Sequence, residues 1–94
     1  MDMKTYFEQT GGTGILSTVS GAGVVNSAIY ARPHFLAEGQ VAFIMADRLS
    51  RRNLQENPSA SYLFIEEGQG YQGTRLNLTR IGEEQDADRI KRLR

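Results

Sequence analysis

Residues 41–64 read VAFIMADRLSRRNLQENPSASYLF, and this stretch decides the fold. Together with Gln40, its first part is the most apolar strand of the chain, residues 40–46; its last part opens a second strand, ASYLFIE, over residues 60–66. Between them Asp47 can cap a short helix over residues 48–57. Asn57-Pro58 stops that helix, because the residue before a proline avoids helical dihedrals. A helix held this tightly between two strands separates the plan from a generic oligonucleotide-binding or SH3-like barrel, the plain alternative for a small β chain.

Working outward, residues 14–20 (GILSTVS) and 24–33 (VVNSAIYARP) read as two strands joined by a glycine-rich turn. Pro33 marks the second as an edge strand, or as one irregular at its end. Before them, Met3, Tyr6 and Phe7 stand at i, i+3 and i+4, the spacing of a short amphipathic helix ending near Gly11. Ala37-Glu38-Gly39 is the next turn. Downstream, Gly68-Gln69-Gly70 forms a turn whose glycines suit positive φ, and residues 71–79 (YQGTRLNLT) alternate polar with apolar as a strand does. In the tail, residues 83–94 (EEQDADRIKRLR) place acids before bases, the order a helix dipole prefers. The expected architecture is mainly β: a small antiparallel split barrel with short flanking helices, one domain over residues 1–94. Opposed sheets are expected to bury Leu16, Val41, Phe43, Leu63, Ile65, Leu76 and Leu78, with Met45 also in the core.

Composition bounds what such a domain can do. A chain of 94 residues buries only about 60–65% of the surface its extended form exposes. It contains no cysteine, which removes disulfides, thiolate metal sites and cysteine nucleophiles together. With a single histidine besides, no transition-metal site is expected. A thin, unstapled core favours a partner subunit or a bound cofactor. Eleven basic residues balance eleven acidic ones, so no global field points to nucleic acid or an anionic membrane. The span from Gln9 to Ala31 carries no charge, yet its glycines and hydroxyls make it no membrane segment. Residues 1–4 lack the basic and apolar regions of a secretion signal, and a cytoplasmic location is expected.

The charged residues that do cluster suggest an anion. Arg48, Arg51 and Arg52 can share a face of the short helix, near its amino end, where the dipole disfavours positive charge. A phosphate would satisfy both the arginines and the free backbone N–H groups, with Ser50 as a neutral donor. The bland alternative is a solvated face answering Glu56 or the acidic tail. Arg32, the first charge after the uncharged run, can bind a phosphate or the polar edge of a ring, or can be a rim residue. Tyr30 can stack on a ring or belong to the core or an interface. His34 reads as an ordinary loop or surface histidine. Glu66 and Glu67 are neighbours on a strand and point to opposite faces, so they make no catalytic carboxylate pair.

Taken in order, these segments resemble the pyridoxamine 5′-phosphate oxidase-like family of FMN-binding split barrels, from about Gly14 to Thr79. GILSTVSGAGVVNSAIYARPHF (residues 14–35) is similar to the family's opening hairpin, and residues 41–64 to its strand, phosphate-binding turn, helix and following strand. The resemblance implies FMN as cofactor. It places the phosphate on Ser50, Arg51 and Arg52 before Asn53-Leu54, with Asn57-Pro58 closing the helix; Asn53 and Arg48, which could replace either arginine if the helix starts one residue off, complete the expected cofactor-binding set. It carries contacts to the isoalloxazine or the phosphate onto Ala31 and Arg32, with Tyr30 at the border of the ring. It further implies a homodimer with the flavin at the subunit interface, the patch Gly70–Arg75 coming from the neighbour, and a small-molecule electron donor or acceptor. Catalytic residues are not assigned. Three features depart from the family. Arg52 stands where lysine is common, which changes donor geometry. The basic and aromatic substrate segment of the vitamin B6 branch is missing. The chain also ends where relatives continue, so the barrel is expected to be minimal or incomplete. Flavin binding without pyridoxamine phosphate oxidation is the expectation, and a noncatalytic flavin- or phospholigand-binding barrel is the alternative.

Overall fold

Alternation along residues 14–18 sets the first strand: Gly14, Leu16 and Thr18 are buried, while Ile15 and Ser17 between them are half-exposed. In the computed structural model, which describes residues 3–36, 39–44, 48–68, 70, 72–84 and 87–93, this is β1 (Gly12–Val19). It follows helix α1 (Met3–Gln9) and precedes β2 (Val25–Tyr30), β3 (His34–Phe35) and β4 (Gln40–Ile44). Helix α2 (Arg48–Glu56), β5 (Ser59–Glu66), β6 (Gly73–Glu84) and β7 (Ala87–Leu93) complete the chain. All ladders are antiparallel, and the strands form one sheet in the order β2-β1-β5-β6-β7-β4-β3.

That order, with one short link, makes the sheet curl. β2 and β3 are its two outer edges, yet only Ala31, Arg32 and Pro33 separate Tyr30 from His34. Four Cα steps span at most about 14 Å, so the edges must meet. No ladder joins them among the described residues. The result is a barrel open along one seam. Its interior is layered by register: Tyr30, Gly14, Phe64 and Thr74 form one row across β2-β1-β5-β6, and Ala28, Leu16, Tyr62 and Leu76 the next. Val41 and Phe43 of β4 and Phe7 of α1 join the same core. Phe7 meets Phe64 edge-on, with ring centroids 5.0 Å apart.

The structure corrects the sequence reading in three places. Among the core residues, Leu16, Val41, Phe43, Leu76 and Leu78 are buried as expected, but Leu63 is half-buried and Ile65 exposed, and Tyr62 and Phe64 fill the interior instead. A strand of four consecutive apolar residues carries no alternation, so its facing is set by its neighbours. Gly14, opposite Phe64 and beside Tyr62, leaves the space these rings need, and a Cβ there would collide with the Tyr62 hydroxyl. Secondly, the expected pair of opposed sheets with five strands is one coiled sheet of seven, because the strand expected over residues 24–33 breaks at the seam and β3 starts afresh at His34. Thirdly, the tail is a strand, not a helix: β7 lies between β6 and β4, with Ile90 opposite both Arg80 and Val41. Without it, β4 and β6 would leave a row of backbone groups unpaired, a cost that outweighs a few tenths of helix preference per residue. The turn before β6 is as expected, with Gly68 and Gly70 at φ of 112° and 93°. The Asp47 cap, Met45, Tyr71 and the Ala37-Glu38 part of the earlier turn lie outside the described residues.

Candidate functional site

The amphipathic pattern of α2 divides the residues that the sequence grouped there. Ser50, Asn53 and Leu54 face the barrel and are almost wholly buried. The Asn53 side-chain amide donates to Thr18 Oγ1 at 3.1 Å, fixing the helix to β1. At the far end, Glu56 Oε1 accepts from the Gly21 backbone N–H at 2.8 Å, which ties the helix to the β1–β2 turn. Asn53 therefore helps to seat the helix on β1, and Ser50 is buried on the same side. Arg51 is half-buried and Arg52 exposed, and the first turn holds no acidic residue. Arg48 begins the helix; its side chain lies outside the described residues. Arg52 Nε stands 3.7 Å from Glu56 Oε2 in an exposed pair worth about 0–1 kcal/mol, which a stronger anion can displace.

Tyr30, Ala31 and Arg32 lie at the seam. Tyr30 is buried, edge-on to Phe43 at 6.4 Å across the barrel, which gives it the core role rather than a free stacking face. Ala31 is exposed, and its carbonyl, like that of Tyr30, accepts from the Tyr62 hydroxyl at 3.3 Å. The exposed Arg32 guanidinium sits 5.6 Å from the centroid of the Phe64 ring. His34 is exposed, as expected of a surface histidine. Gly14, the register partner of Tyr30, and Thr18, the partner of Asn53, are four residues apart in β1, or about 13 Å. The two halves of the expected site are thus set apart along β1.

Burial pushes the Tyr62 phenol up to about 12, although the nearby Arg32 charge pulls it down. Its folded value is raised above the ordinary 10.0, so the stability held by the neutral phenol is intact below pH 10 and is lost as pH rises through 12. Alkaline unfolding is expected to set in over that window. Tyr62→Phe, which cannot ionise, should flatten the stability slope there in pH-dependent denaturant titrations.

The outer face of the sheet shows what sequence reading missed. Ile29 is 79% exposed and lies opposite Ile15, which lies opposite Leu63; Val25, 69% exposed, faces Val19. Register partners share a face, so these residues make an apolar band, interrupted by the hydrogen-bonded Ser17–Ser27 pair. The band runs into an open cleft of about 360 Å³ on the β5–β6 hairpin, lined by Leu63, Ile65, Gly73 and Arg75 among others. Part of the patch expected over Gly70–Arg75 is therefore concave and joined to the band. Period-two alternation in β2 was the available signal, with Val25 and Ile29 two steps apart on the outward side.

Among solved structures, the chain is similar to an FMN-binding protein from Syntrophomonas wolfei subsp. wolfei, with a TM-score of 0.82 over 94% of this chain and 78% of that one. The fold is a split barrel. Sequence identity to that protein is 12%, so the likeness is one of fold. A HupZ variant from Group A Streptococcus shares the split barrel, with a TM-score of 0.79 and 13% identity over 99% of this chain and 95% of that one. No family model matches the chain, and no curated protein matches it by sequence. Among the described residues no helix is long and apolar enough to cross a membrane.

Proposed function

We propose that this split barrel binds FMN at the interface of a homodimer and exchanges electrons with a small-molecule donor or acceptor, as an oxidoreductase of the pyridoxamine 5′-phosphate oxidase-like kind. The observation that carries the reading is the start of α2: half-buried Arg51 and exposed Arg52 with no acid in the first turn, on a barrel whose fold is shared with an FMN-binding protein. Such a donor set fits a phosphate dianion, since charge-assisted bonds and the helix dipole act together. In this reading Arg51 and Arg52, with Arg48 beside them, hold the phosphate. Ser50 and Asn53 hold the helix in place for them. Tyr30, Ala31 and Arg32 border the ring from the seam. A bound flavin supplies hydride or electron transfer, and the chain supplies orientation and hydrogen bonds. The absorption spectrum of freshly purified protein tests the proposal: a flavin spectrum, or saturable uptake of added FMN, is the expected result. Failure of FMN to bind in titration overturns it. Bleaching by a reduced nicotinamide with reoxidation in air would support the enzyme over a barrel that only holds flavin.

The apolar band supports the dimer reading. Ile15, Ile29, Leu63 and Val25 would be covered by a second copy, at about 25 cal/mol per Å² before the costs of association. The neighbour's Gly70–Arg75 region would then wall the flavin. Sedimentation is expected to return twice the chain mass for the wild type and a single-chain mass for Ile29→Asp, with weaker FMN binding in that variant. A wild-type monomer that binds FMN fully would remove the interface from the model of the site.

A further inference from the structure

Below the seam, α1 and the β2–β3 link enclose a second open cleft of about 320 Å³, which shares only Arg32 with the flavin reading. Its buried part is apolar. Phe7 is 2% exposed and its ring lies 5.8 Å from that of Phe35, while Pro33 is also buried. Its rim is charged and exposed: Lys4, Glu8, Arg32 and His34. Two fixed cations and an imidazole face one carboxylate, so the rim is net positive. Among the described residues no carboxylate pairs with Arg32.

Arg32 is also held in place. Its guanidinium rests on the Phe64 ring, which leaves its N–H edge free to donate in the ring's plane. The backbone that carries it is pinned by the Tyr62 hydroxyl on Ala31 and by the fixed φ of Pro33. An apolar floor beneath an oriented, unpaired guanidinium is the arrangement that recognises an apolar acid, because the two ends of such a ligand need opposite surroundings. Glu8 on the rim disfavours a second negative charge. We propose that this cleft binds a small organic monoanion with an aromatic or branched aliphatic body, its carboxylate on Arg32 and Lys4 and its body against Phe7 and Phe35.

The proposal does not depend on bound flavin and is tested on the full chain with benzoate as probe. Saturable benzoate-induced shifts are expected in the backbone amide spectrum, confined to residues near Lys4, Phe7, Arg32, His34 and Phe35, with a Kd on the order of 1 mM. Arg32→Gln should weaken binding about tenfold or more with the rest of the spectrum unchanged. Lys4→Gln should weaken it less, and benzyl alcohol should bind at least about tenfold more weakly than benzoate. Equal binding of benzyl alcohol, unsaturable shifts spread over the surface, or unchanged affinity in both variants would overturn the proposal. Saturating FMN, whose ring would share Arg32, should weaken benzoate binding no more than Arg32→Gln does. Complete loss of benzoate binding with FMN present would make the whole cleft part of the flavin site and overturn the proposal, whereas absence of FMN binding alone would sink only the flavin reading.

Discussion

FMN affinity is expected to fall roughly 10²–10⁴-fold when Arg51 and Arg52 are both replaced by alanine, from two charge-assisted contacts of about 1.5–3 kcal/mol each. The expectation rests on where α2 puts them. Arg51 is partly enclosed, and a bond to a partly desolvated guanidinium is stronger than one in open water. Arg52 is exposed and must leave Glu56, so its share lies at the lower end. Riboflavin, which lacks the phosphate, should lose far less than FMN. Calorimetric titration of both ligands against both proteins separates the outcomes: equal weakening means general damage or ring contact, and no weakening makes the arginines a solvated face. The buried Ser50 and Asn53 provide a contrast. Asn53→Ala should lower stability by about 1–3 kcal/mol, since Thr18 is left without its partner, while the phosphate contacts themselves stay in place.

Phe64→Ala is expected to destabilise the barrel by about 3–5 kcal/mol, the cost of lost apolar burial plus the cavity that remains. Set against a total of about 5–15 kcal/mol for a domain, that leaves the chain close to unfolding at room temperature. Phe64 is fully buried and touches Phe7 and Tyr6 edge-on, so deleting it loosens α1 as well as the sheet. Arg32 loses the ring on which it rests. Leu63→Ala, next in sequence but on the outer face, should cost about 1 kcal/mol in the monomer because the side chain is only half-buried. Denaturant midpoints of the two variants test the strand's register directly. A larger loss for Leu63→Ala would mean that the opposite face of β5 is the core.

Much of this was legible from local chemistry. Asn57-Pro58 had to end a helix, the glycines around residue 69 had to make a turn, and Pro33 had to mark an edge, since each follows from dihedral freedom or a missing donor within a few residues. The apolar residues of β1, β4 and β6 were placed correctly because alternation or continuous burial states which side faces in. The expectation of FMN came from the resemblance, since no local pattern names a ligand.

Other features depended on residues far apart in sequence. Tyr62 and Phe64 turn inward because Gly14, some fifty residues earlier, leaves room for them. Ser50 and Asn53 turn inward while Arg52 turns out because Thr18 stands beneath the helix. Residues 87–93 become a strand although their charge order suits a helix, because β4 and β6 each need a hydrogen-bonded neighbour and the curled sheet has one place left between them. Propensity in a short segment is worth tenths of a kcal/mol per residue, whereas an unpaired buried backbone group costs about 1–3 kcal/mol. Where those two terms compete, the partner across the sheet decides, and only the tertiary structure names the partner.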